Sequence, residues 1–113
     1  MAEQPEIENT APILRVKDMK TSLEYYEKVL GFKWAGWGDT FTFVGRDGHG
    51  MYLCEGSQGC VGTWVWVGSH DVTRLHGEYK QSGAKIILPP TNYPHALEMH
   101  VEDLDGHVLR FGS

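Results

Sequence analysis

Little cysteine, little positive charge and no long apolar run mark this 113-residue chain. Its two cysteines, Cys54 and Cys60, form neither a disulfide framework nor a CxxC metal or redox motif, so both read as reduced thiols. Ten Lys and Arg stand against fifteen Asp and Glu, a formal charge of -5. Such a field repels nucleic acid and anionic membrane surfaces and favours a cationic or neutral small partner. No apolar stretch approaches the roughly 18 residues of a membrane span. The start, Met1 to Thr10, is acidic and polar, unlike a secretory signal, which points to the cytoplasm. P-loop, GxGxxG, GxSxG and HExxH motifs are all missing, and Cys54 has no histidine at a nucleophile's spacing, so no catalytic residue and no cofactor is assigned.

What is present suits one compact domain. Hydrophobic residues make up 41% and charged residues 22%, enough to bury a core, whereas disordered chains combine low hydrophobicity with high net charge. Residues 1–10 lack apolar periodicity and read as a flexible lead-in, leaving 11–113 as the domain. Ala11 to Val16 reads as a strand. Asp18 then offers an N-cap to a helix with Leu23, Tyr26 and Leu30 on one stripe, stopped by Gly31. Three β-rich stretches follow, Phe32 to Trp37, Thr40 to Val44 and Met51 to Glu55, parted by turn signals.

The order then repeats. A strand at Thr63 to Val67 precedes a helix from Asp71 to Ser82, closed by Gly83. After it come Lys85 to Leu88, a proline-rich connection Pro89 to Pro94, a strand Ala96 to Glu102, the turn Asp103 to Gly106, and a last strand Val108 to Phe111. Leu23 and Leu75 stand 52 residues apart, as do Gly31 and Gly83, while Asp47-Gly-His49 and Asp105-Gly-His107 stand 58 apart. Helix, helix stop and turn recurring in one order indicate a tandem duplication of βαβββ modules, about 11–55 and 63–112.

The segments Ser22-Leu-Glu-Tyr-Tyr-Glu-Lys-Val-Leu-Gly-Phe32 and Val101-Glu-Asp-Leu-Asp-Gly-His-Val-Leu-Arg-Phe111, with Ile13 to Met19, resemble the vicinal oxygen chelate superfamily. That superfamily embraces glyoxalase I, extradiol dioxygenases, fosfomycin resistance enzymes and bleomycin resistance proteins. The resemblance implies an α+β fold of two tandem βαβββ modules, open half-barrels around a cavity with helices outside. It also implies a homodimer, because single-domain members complete their cavities across subunits.

The superfamily's metalloenzymes take ligands from the first and fourth strands of each module. Those positions fall here at Ala11, Trp64, near Tyr52 and at Arg110, none a good metal ligand. A guanidinium repels a cation and cannot lose its proton to accommodate one. The chain is therefore similar in type to the bleomycin resistance proteins: metal-independent binding and sequestration of a small cationic or aromatic molecule. The alternative is a divalent-metal-dependent glyoxalase or dioxygenase using Glu55, Glu98 and histidines in a shifted site.

Four tryptophans bracket the strands that the resemblance places at the cavity, and aromatic walls stack flat rings and hold cations. Alternation puts Trp64 and Trp66 on one side of their strand and Val65 and Val67 on the other. Glu98, His100 and Glu102 likewise alternate with Leu97, Met99 and Val101. The expected ligand-binding set is Trp34, Trp37, Phe43, Tyr52, Trp64, Trp66, His95, Glu98, His100 and Arg110. For the tryptophans the competing role is barrel filling or a dimer seam, and for Glu98 it is pairing with Arg110. His49 and His107 read as matching turn histidines.

Overall fold

A computed structural model describes residues 4–113, so the first three residues of the lead-in lie outside the described residues. Residues 4–10 are exposed and carry no regular secondary structure. Strand β1 (Ile13–Arg15) is followed by helix α1 (Met19–Glu24) and a π-helical turn over Tyr25–Val29. Strands β2 (Lys33–Trp34), β3 (Phe41–Arg46) and β4 (His49–Cys54) complete the first module. The second repeats it as β5 (Trp64–Gly68), α2 (Val72–Ser82), β6 (Lys85–Asn92), β7 (Leu97–Glu102) and β8 (Val108–Gly112).

The duplication is exact at the level of topology. Each module forms one four-stranded sheet, ordered β1-β4-β3-β2 and β5-β8-β7-β6, with the first pair parallel and the others antiparallel. Neither sheet closes into a barrel, and each leaves one face free of helix.

Local details depart from the sequence reading where distant residues intervene. Asp18 occupies the N-cap position of α1, but its carboxylate accepts from Thr21 Oγ1 and caps no backbone N–H. Glu55, just past β4, accepts from Met19 N at 2.7 Å. The π-helical turn shifts the end of the first helix, so that Leu30 N donates to Tyr25 O and Phe32 N to Tyr26 O. Gly31 ends it at φ +76, where an added Cβ would stand 2.7 Å from the Arg46 guanidinium. The proline stretch is not a plain connection: β6 runs through Pro89 and Pro90 to Asn92, with register shifts on either side of Leu88. Its place at the sheet edge removes the need for the missing N–H groups.

One hydrophobic core serves both modules, joining Leu14, Tyr26, Leu30 and Leu53 to Tyr79, Met99, Leu109 and Phe111. Polar bonds between the modules run through it. Tyr79 Oη donates to Leu30 O at 2.7 Å, and Tyr26 Oη to Asp103 Oδ2 at 2.6 Å. Burial pushes the Tyr26 hydroxyl well above its ordinary pKa, with the Asp103 charge adding to the shift. Asp105 accepts from Lys17 N and Ser22 Oγ, and Arg46 grips Glu78 bidentately at 2.7 and 2.9 Å.

His107 is the correction of most structural weight. Its counterpart His49 is an exposed hairpin residue, but His107 is wholly buried. Its Nδ1 accepts from Thr63 N at 3.0 Å and its Nε2 donates to Arg15 O at 2.6 Å, clamping the second module's turn to β1. The β3–β4 turn is two residues long, whereas the β7–β8 connection has five and tucks inward. Replacing His107 by Ala orphans one buried donor and one acceptor. We expect His107→Ala to cost about 2 to 5 kcal/mol in urea unfolding, with His49→Ala near zero.

Candidate functional site

Alternation sorts the second sheet cleanly into two faces. Val65, Val67, Met99, Val101, Leu109 and Phe111 pack into the core. Trp64 and Trp66 point the other way and remain 57% and 52% exposed. Register places Trp66 directly beside Arg110, and His100 opposite Arg110 on the next strand, so these side chains share the open face with Glu98. Trp64 meets His100 edge-on at 5.5 Å between centroids. Trp66 tilts against His95, which in turn stacks on Tyr93.

Glu98 lies at the centre of this face with no exposed surface. Arg110 Nε donates to Oε1 at 3.0 Å and Nη2 to Oε2 at 2.9 Å, a fork-to-fork pair. His100 Nε2 donates to Oε1 at 2.8 Å, and His95 Nε2 to Oε2. A carboxylate offers about four lone-pair positions, and here four donors fill them. Its cover consists of these partners rather than deep packing. The His100 bond, with those of His95 and Arg110, holds the carboxyl down to about 2 against the opposing effect of burial. An ionised carboxylate only accepts, so both histidines carry their protons on Nε2 toward it.

Other expected site residues gather elsewhere. On the first sheet's open face Phe41 stacks on Tyr52 at 5.1 Å, Phe43 meets Tyr52 edge-on, and Trp37 leans on Phe41. Trp37, Phe43 and Tyr52, with Trp66, also line an open groove of about 1350 Å³ between the modules. The groove continues past Asn9 to Pro12, ahead of β1, to the start of α2, and leaves Trp64, Glu98, His100 and Arg110 outside it. Trp34 joins neither group. It pairs with Val44, whose side chain is buried in the core, and its indole N–H donates to Thr42 Oγ1 at 2.9 Å and Trp37 O at 3.2 Å. Two aromatics escaped the sequence reading, Phe41 and Tyr93. Period two with Phe43 was signal enough for the first; the second was hidden in the proline-rich stretch.

Among the described residues, those at the superfamily's ligand positions do not fit a divalent ion. Register makes Ile13 and Tyr52 neighbours in the first sheet, as Trp66 and Arg110 are in the second, and none of these four supplies a metal donor. Glu98 has no lone pair to spare, and Glu55 is committed to the α1 N-terminus in the other sheet. Among the described residues no three His, Cys, Asp or Glu side chains converge to hold a metal.

Two outcomes follow from this geometry. A lowered pKa means the unfolded carboxyl, near 4.5, takes up its proton before the folded one, near 2. Stability from Glu98 is therefore complete above about pH 4.5 and lost as pH falls through that window. Melting followed by circular dichroism from pH 5 to pH 2 should show a smaller acid-induced drop in Glu98→Gln than in the parent. The Trp66 ring lies across Gly112, where an added Cβ would stand 2.1 Å from it. Gly112→Ala should displace that ring and move its indole N–H resonance, leaving the Trp34 signal in place.

Among the described residues no helix is long and apolar enough to cross a membrane. No curated sequence matches the chain. Solved structures do. A bleomycin-binding protein from Streptomyces verticillus, complexed with copper(II)-bleomycin, superposes with a TM-score of 0.80 at 18% identity, covering 96% of this chain and 97% of the other. TnmS3, an antibiotic binding protein from Streptomyces sp. CB03234, gives 0.79 at 16% identity over 96% and 98%. Virulence protein STM3117 from Salmonella typhimurium gives 0.74 at 18% over 96% and 98%. The family model described as Glyoxalase/Bleomycin resistance protein/Dioxygenase superfamily matches residues 7–111, nearly the whole chain. Paired βαβββ sheets and that match together place the chain in the Glyoxalase/Bleomycin resistance protein/Dioxygenase superfamily.

Proposed function

We propose that this protein binds and sequesters a small aromatic molecule, in the manner of bleomycin resistance proteins, without metal and without chemistry. The observation that carries this reading is the pair of half-exposed indoles, Trp64 and Trp66, on a helix-free sheet face. Exposed tryptophans next to one another present apolar area that water solvates poorly and that a flat ring can cover. The aromatic-rich face of the first module, with Trp37, Phe43 and Tyr52, offers a second wall. In a cytoplasmic homodimer one copy's first wall would close over its partner's second, since each sheet alone is open.

The sequence expectation of a cationic ligand rested on net charge and aromatic walls, with Glu98 as a candidate contact unless it paired with Arg110. With that carboxylate committed to Arg110, the aromatic half of the expectation is the part that the geometry supports. The two structural neighbours described as bleomycin-binding and antibiotic-binding add support of the same kind, at the level of fold.

Quenching of tryptophan fluorescence on titration with metal-free and copper-loaded bleomycin tests the reading. Saturable quenching near one ligand per chain is expected, with Trp64→Ala and Trp66→Ala each weakening it more than tenfold, on the order of 1.4 kcal/mol. A flat titration to high micromolar ligand would discard bleomycin as the ligand. Quenching that appears only after a divalent ion is added would overturn metal independence. Light scattering should give twice the chain mass.

A further inference from the structure

The second sheet's open face carries free donors beside carboxylates that are already paired. Glu98 is saturated, and Glu102, further along β7, is paired with Lys85 Nζ at 2.6 Å. Arg110 spends Nε and Nη2 on Glu98, and among the described residues its Nη1 has no partner. The side chain is still 38% exposed and stands directly beside Trp66. Neither the Trp64 nor the Trp66 indole N–H donates to any described residue. A molecule lying on these rings therefore meets the outward edge of a guanidinium whose carboxylate partner is already filled.

We propose that this face selects a planar aromatic ring bearing a carboxylate or comparable anionic oxygen group, the ring against Trp66 and Trp64 and the anion on the outward edge of Arg110. The inference rests on the aromatic-binding reading above and adds the sign of the ligand's charge. Glu98 is then a positioning residue: it fixes the guanidinium plane so that its third nitrogen is left to the ligand, a fork geometry that arginine provides and lysine does not. The chain's net charge of -5 does not oppose this, because exposed charges beyond about 8 Å are largely screened at physiological salt. A cation placed on the same rings would face the guanidinium, while the Glu98 carboxylate beside it is already filled.

Three probes of one shape separate the possibilities: 2-naphthoate, 2-naphthamide and 2-naphthylmethylammonium, titrated into the intact protein and followed by the indole N–H resonances. The expected order is naphthoate tightest, by about tenfold over the ammonium, with the Trp64 and Trp66 signals moving and that of Trp34 still. The double variant Glu98→Leu with Arg110→Leu removes both partners of the pair and leaves no buried lone charge. It should bind naphthoate and naphthamide within about twofold of each other, and an undiminished naphthoate preference there would sink the proposal. The parent series decides even if that variant fails to fold. Ammonium binding as tight as naphthoate overturns the charge inference and leaves the aromatic reading standing. Silence from all three probes at millimolar concentration overturns both.

Discussion

A carboxylate with no surface of its own must be met by donors, and Glu98 is met by four. Two come from Arg110 on the neighbouring strand, one from His100 two residues along β7 and one from His95 just before it. The open face of the second sheet is arranged around that set. Arg110 is forked onto Glu98, His100 and Trp64 meet edge to face, His95 tilts against Trp66, and the indoles stay half exposed. A saturated buried acid is a rigid part rather than a reactive one, since it holds its proton off down to about pH 2 and offers no lone pair to a metal or substrate.

The two modules share a topology and divide the labour. Tyr52 in the first sheet stands where Arg110 stands in the second, and Ile13 where Trp66 stands, so one open face is aromatic and apolar and the other aromatic and donor-rich. The turns diverge in the same way. The first module's hairpin turn remains at the surface, while the longer second connection carries Asp103, Asp105 and His107 into contact with β1 and α1. The sheets repeat one topology, while residues at matching positions and one longer loop make the halves unequal.

Much of this was legible in the chain before any coordinates. Period-two alternation at Trp64 to Val67 and Leu97 to Glu102 sorted the faces correctly, because a half-buried strand has no other way to satisfy both its sides. Helix stops at Gly31 and Gly83 and the paired DGH turns exposed the repeat. The remainder depended on neighbours far away in sequence. Nothing near Asp18 announces that Glu55 will cap α1, and nothing near His107 announces Arg15 O. Two prolines read as a break until β6 proves to be an edge strand. Trp34 was expected at the cavity because it brackets a strand placed there, yet its register with Val44 turns it to the opposite face. The saturation of Glu98 needed the β7–β8 register, which aligns His100 with Arg110.

In the proposed binding mode Glu98, filled by four donors, presents Arg110 rather than meeting a ligand itself. Long-range nitrogen–proton correlation spectra of the imidazole rings address it directly, since each neutral histidine shows which nitrogen holds its proton. His95 and His100 are both expected to carry it on Nε2, facing the carboxylate. A neutral Nδ1–H tautomer in either ring would contradict it, because that ring would then have no proton to give Glu98.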